Sequence, residues 1–294
     1  MSWLERLNNP VRLSISSNLD DTYVALLQQL GQVTPFELAV LGGRAMTTPG
    51  LAFLVGYQAA LRVLWPSAPA SLGALCATEQ RSVRPADMQT RLDDLRLSGR
   101  KDFVTAGNAA DWLLVAARSE APGESPQLSL TVVYPGEPGV RLESLPVLPL
   151  MPDIGHARLF LDGALCERLA GDGWDAYVKP FRTLEDLYVL SALCAWLYGV
   201  GQTCGWSQVL QLRLIGLLGG CAEGSRQCAD APVTHLLLGG LFAQFSMLKQ
   251  ELNEAFANGP VEWASLWQRD QSVLEIAGAA RAKRLAKAWQ TLGL

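Results

Sequence analysis

Few side chains in this sequence could do chemistry. Two adjacent acids, Glu185 and Asp186, fall in what reads as the first turn of a helix, and a third acid, Glu275, lies in the last helical stretch. A carboxylate held near a substrate can accept a proton. Arg84, between Val83 and Pro85, could bind a phosphate. Plainer roles compete for each. Thr183 as an N-cap with Glu185 and Asp186 behind it suits the positive end of a helix dipole. Glu275 suits an ordinary helix face, and Arg84 suits a solvated loop. His156 and His235 each stand alone. The six cysteines (76, 166, 194, 204, 221 and 228) show no metal-ligand spacing. Most sit in apolar segments, which predicts buried, reduced thiols in a cytoplasmic protein. No Gly-x-Gly-x-x-Gly, P-loop, Gly-x-Ser-x-Gly or zinc pattern occurs.

The elements that must position these residues come from a chain of 294 residues, long enough to bury one or two cores. Apolar residues make up 49% and charged residues only 18%, a balance that subunit burial would account for. Net charge is −4, and the only basic cluster (Arg281, Lys283, Arg284, Lys287) suits the solvated face of a last helix. A nucleic-acid footprint is therefore not expected. The longest apolar runs, near 187–200 and 236–248, fall short of the roughly 20 residues that span a bilayer, so no membrane span is expected. The opening residues lack a signal-peptide pattern.

Residues 1 to 70 read as helical. Asn18 is a plausible cap for 22–30, with Gly31 as its stop, and Thr34-Pro35 and Thr48-Pro49 each pair an N-cap with proline at the first helical position. The helix over 50–64 is apolar nearly all round and should be buried. From 71 to 178 the texture is strand-like, with candidate strands at 102–105, 111–118, 127–134 and 157–162 between Gly/Pro turns. From 179 to 294 four helical stretches follow, at 182–200, 205–222, 231–257 and 262–292, the pattern of an antiparallel four-helix bundle.

Three segments sharpen this picture. Leu75-Cys-Ala-Thr78-Glu79-Gln80 is followed by Leu97-Ser-Gly99-Arg-Lys101-Asp-Phe103-Val104-Thr105, then by Ala110-Asp111-Trp-Leu-Leu-Val-Ala-Ala-Arg118. Together they resemble the middle β-domain of acyl-CoA dehydrogenases: a Thr-Glu-Pro opening, a Leu-x-Gly-x-Lys-x-Phe-Ile-Thr segment and an Ala-Asp…Val…Ala-Arg strand. The resemblance implies an α+β fold, with a shortened N-terminal helical region, a middle β-barrel-like domain and a C-terminal four-helix bundle. It also implies FAD as cofactor, with Thr78, Phe103, Val104 and Thr105 around the flavin ring. An uncharged planar ring needs apolar stacking and a few fixed polar contacts, although Phe-Val-Thr is equally a good strand triplet.

The departures lie elsewhere. Val83-Arg84-Pro85 stands where the family has Gly-Ser-Asp, which removes an amide donor and adds bulk near flavin and substrate. Arg269-Asp270-Gln-Ser-Val-Leu-Glu275-Ile-Ala-Gly278 resembles the segment that carries the family's catalytic glutamate, and the position of that base holds Gly278. Glu275, about 4.5 Å back along the helix axis, is one stand-in. Glu185 is another, because some relatives place the base on the first bundle helix just before an arginine. If Arg182 rather than Asp186 marks that arginine, the alternative site holds Phe181. The family's Gly-Gly-x-Gly-Tyr turn and Arg-x-x-Phe, which hold the adenosine half of FAD across a subunit interface, are not identifiable. The resemblance thus implies a flavoprotein oxidoreductase acting on acyl-CoA or another acyl thioester, with a degenerate base position. Two alternatives stand beside it. One is an inactive paralogue assembling with itself or with a complete dehydrogenase. The other is a flavin monooxygenase-like relative.

Overall fold

The computed structural model describes residues 2–13 and 18–293. Its first helices begin and end where local chemistry dictates. α1 (Trp3–Arg6) is one turn closed by a capping box between Ser2 and Glu5. α2 (Leu19–Leu30) starts at Asn18, whose Oδ1 accepts the Asp20 N–H at 3.2 Å, and stops at Gly31 with φ 67°. α3 (Pro35–Glu37) opens on Thr34, whose Oγ1 accepts the Glu37 N–H at 3.2 Å. It runs through a wider π turn into α4 (Gly43–Ala45). α5 (Pro49–Leu64) uses Thr48 in the same way and is buried on nearly every side, as its sequence predicts.

Eight strands form one curled sheet: β1 (Gly73–Cys76), β2 (Arg91–Asp93), β3 (Arg96–Thr105), β4 (Trp112–Arg118), β5 (Leu128–Val133), β6 (Val140–Ser144), β7 (His156–Leu165) and β8 (Glu167–Arg168). The order is β6-β7-β3-β2-β4-β5-β8, with β1 parallel to β4. The four longest strands overlap the ones the sequence predicts, although β3 starts at Arg96 rather than at 102, its first half being polar. β1, β2, β6 and β8 are short, and Arg91-Leu-Asp93 and Val140-Arg-Leu-Glu-Ser144 carry charges that hide their alternation.

Five helices complete the chain: α6 (Lys179–Cys204), α7 (Gln208–Gly224), α8 (Pro232–Ala257), α9 (Val261–Asp270) and α10 (Gly278–Leu292). α6 is long and apolar enough to cross a membrane, yet 83% of its apolar window is buried inside the fold. Its neighbours come close because they carry glycine. A Cβ on Gly43 would lie 2.4 Å from the Ala192 carbonyl oxygen, and one on Gly56 would lie 2.6 Å from that of Tyr188. The single last stretch expected over 262–292 is broken into α9, a 3-10 turn (Gln271–Glu275) and α10. The break puts Val273 and Leu274 into the core. It also frees Asp270, whose buried Oδ1 accepts the Met151 N–H at 2.8 Å. Nearby, Asp153 Oδ2 accepts from Thr48 Oγ1 at 2.6 Å and from Arg269 Nη2 at 3.0 Å. This clamp joins the start of α5, the loop before β7 and the end of α9.

Candidate functional site

A cavity of about 410 Å³ lies between the sheet and the first bundle helix. On the sheet side, Phe103 and Thr105 line it from the end of β3, with Val83 and Thr78 from the preceding loops. Alternation along the strand turns Val104, between them, into the core, where it is fully buried opposite Ala157. The loop that carries Val83 is tied down by Glu79. That carboxylate accepts from Lys101 Nζ at 2.6 Å and from the Gln89 N–H at 2.6 Å, and Lys101 is fully buried. The ion pair keeps Glu79 below its ordinary range even though burial, the larger influence, opposes it.

Strand register brings in a residue that sequence reading treated as isolated. His156 sits opposite Thr105, lines the cavity, and stacks on Phe103 with ring centroids 4.4 Å apart. Its Nδ1 is buried without a partner, and burial lowers its pKa. Only the pairing of β3 with β7 reveals this contact. Tyr57 was also missed; it enters from α5, its hydroxyl accepts the Leu75 N–H at 2.8 Å, and its ring packs edge-on against Phe181.

On the helical side, Glu185 lines the same cavity and has no hydrogen-bond or ion-pair partner among the described residues. Burial, followed by the adjacent Asp186 charge, pushes its pKa up to about 7. Asp186 behaves differently. It is buried and ion-paired with Arg281, at 2.7 Å, and with Arg284. Arg182, one turn before Glu185, lines the cavity and makes no ion pair among the described residues.

The other candidates are not gathered here. Arg84 is exposed at the start of a short 3-10 turn. Glu275 is exposed and pairs with Lys249. Gly278 borders a separate cavity of about 200 Å³ that also meets His235 and Arg284. Arg281 lines both cavities and so stands between them.

No protein-family model matches the sequence, and no curated protein matches it. Solved structures do resemble it in three dimensions. Butyryl-CoA dehydrogenase from Megasphaera elsdenii superposes with a TM-score of 0.66 at 12% identity, over 97% of this chain and 92% of that one. PigA with FAD and proline gives 0.63 at 15% identity, over 99% and 92%. The prolyl acyl carrier protein oxidase AnaB gives 0.60 at 14% identity, over 97% and 92%. This chain has the acyl-CoA dehydrogenase fold.

Within that fold the cavity's sheet-side wall suits the ring half of a flavin. Phe103 and Val83 offer apolar surface, and Thr78 offers a hydroxyl. Asn258, Gly259 and Pro260 alone join α8 to α9, and Gly205, Trp206 and Ser207 alone join α6 to α7. Neither joint has room for the glycine-rich turn that the family resemblance leads one to look for.

Proposed function

We propose that this protein is an acyl-CoA dehydrogenase-like flavoprotein oxidoreductase acting on an acyl thioester, with Glu185 as its proton acceptor. One observation carries the reading: Thr78, Phe103 and Thr105 share a cavity with an unpartnered carboxyl poised near pH 7. The structures it resembles include a butyryl-CoA dehydrogenase and an acyl carrier protein oxidase, which supports a thioester as substrate class.

FAD, when bound, would supply the hydride acceptor. The chain's own residues do the rest. Phe103, in tilted contact with His156, would supply apolar packing for the ring and Thr78 a hydroxyl contact. Glu185 takes the proton from the carbon beside the thioester carbonyl. A carboxyl poised near neutrality is a stronger base than an ordinary one and is about half ionised near pH 7. Tyr57, Phe181 and Val189 exclude water around it. The purified protein should be yellow, release FAD on denaturation and dehydrogenate a panel of acyl thioesters. A protein that stays colourless with added FAD would overturn the reading.

That colourless outcome is the one expected of a second reading, which the short Asn258–Pro260 joint favours. Here the chain serves as the assembling partner of a complete dehydrogenase, or of itself. The outer faces of α7 and α8 suit such a role. Leu212 is 65% exposed and Met247 78%, and a Cβ on Gly216, Gly219 or Gly240 would meet open space. An interface there should bury more than about 1,000 Å². Light scattering that gives a monomer mass at micromolar concentration, alone and with a dehydrogenase partner, would remove this second reading.

A further inference from the structure

A cavity of about 460 Å³ lies beside α1, the end of α2 and α4, well away from Glu185. Arg44, in its wall, packs against α6 at Gly199, 14 residues beyond Glu185 and so about 21 Å along the helix.

Arg44 is 3% exposed. Its Nη2 donates to Gln202 Oε1 at 3.0 Å, while Nε and Nη1 have no partner. The fold makes room for it: a Cβ on Gly199 would lie 2.6 Å from Arg44 Cδ. A second guanidinium lies close by. Arg12 donates Nη1 to the Met46 carbonyl at 2.5 Å and stacks 4.6 Å over Trp263, and its Nε and Nη2 are also buried without partners. No carboxylate pairs with either arginine among the described residues. Glu5, the one acid in the cavity wall, is turned to Ser2, whose N–H it accepts at 2.6 Å. Burial first, then the Arg44 charge, lowers Arg12 to about 10.

A buried charge beside a half-buried like charge, with no counter-ion among the described residues, is strongly destabilising, and buried donors without acceptors call for an ion or water. We propose that this cavity binds a small molecule through a phosphate or carboxylate group, with Arg44 as the principal contact and Arg12 behind it. The guanidinium fork matches such an oxyanion bidentately. Gln29 and Asn9 line the remaining volume, which exceeds that of a bare oxyanion. The proposal does not depend on flavin or thioester chemistry.

The test is thermal unfolding of the full chain against rising inorganic phosphate or acetate, with sodium chloride holding ionic strength constant. The wild type should show a saturable rise in Tm, as mass action requires of a ligand that binds only the native state. The stronger of the two salts identifies the group recognised. Arg44→Met, which keeps the length and removes the charge, should be at least as stable without the anion and should lose the response. Arg213→Met, at an exposed arginine, should keep it. If Arg44→Met does not fold, Arg44→Lys should weaken phosphate binding about tenfold, because it keeps the charge and loses the fork. No saturable shift in the wild type with either salt, or an equal shift in the Arg44 variant that folds, would overturn the proposal.

Discussion

The two walls of the central cavity differ in how their residues are held. The sheet-side wall is local: Phe103 and Thr105 are two residues apart on one strand, fixed by alternation and by the buried Lys101–Glu79 pair. The helical-side wall is assembled from afar. Glu185 and Asp186 sit near the start of α6, while Arg281 and Arg284 reach them from α10, and Gly278 has turned to another cavity. One wall thus depends on a sheet's register and the other on contacts between distant helices. Asp186 is ion-paired with two arginines, whereas Glu185 makes no ion pair among the described residues.

The largest expected effect tests whether the helical wall carries the chemistry. Glu185→Gln should lower thioester turnover by about 10²–10⁴-fold with FAD content unchanged. Glu275→Gln, at an exposed position, should leave the rate alone. A reversed pattern would move the base. The wild-type rate should rise with pH to a plateau above about 7, as Glu185 loses its proton.

Next comes the wall's stability. Asp186→Asn leaves Arg281 and Arg284 facing a neutral acceptor and should cost about 3–5 kcal/mol in urea unfolding. A cost under about 1 kcal/mol would mean that the two arginines find other partners.

Smaller again is the pH effect of Glu185 on stability. In the fold it keeps its proton up to about pH 7, whereas in the unfolded chain it loses it near pH 4.3. Between those values the folded state binds the extra proton, so wild-type stability falls as pH rises. Glu185→Gln should match the wild type near pH 4 and exceed it by about 1–3 kcal/mol at pH 8. A constant difference across that range would show that Glu185 titrates normally.

The smallest effect belongs to the sheet wall. Phe103 is 37% exposed and stacks on His156, so Phe103→Ala should cost about 1 kcal/mol rather than the roughly 3–5 of a core phenylalanine. Flavin binding should fall far more than stability does. Equal losses would make the ring a core residue and erase the contrast between the walls.

Phe103 and Thr105 were legible because they lie within one motif that carries the family resemblance, but that motif also put Val104 in the wall, where strand alternation turns it into the core. Helix starts were legible for a similar reason: Asn18, Thr34 and Thr48 act within three residues of their own positions. The break at 271–277 was not. The helical pattern continues through it, and the cause is the Asp270 bond to Met151, 119 residues away. Nor could spacing choose between Glu185 and Phe181, since both line the cavity. His156 was invisible for want of strand register, and the Arg12–Arg44 pair for want of any local motif.

The clamp among Thr48, Asp153, Arg269 and Asp270 bears on how the molecule is made. Its hydrogen bonds link residues 105, 116 and 119 positions apart. Synthesis delivers the chain from its amino end at about 5–20 residues per second. The helices before the sheet, and the sheet itself, therefore emerge well before Arg269 and Asp270, which complete the clamp. Asp186 then waits for Arg281 and Arg284, close to the finish. The central cavity is among the last parts of the molecule to take shape, and until then the apolar length of α6 stands without its final cover, in need of shelter from other nascent chains.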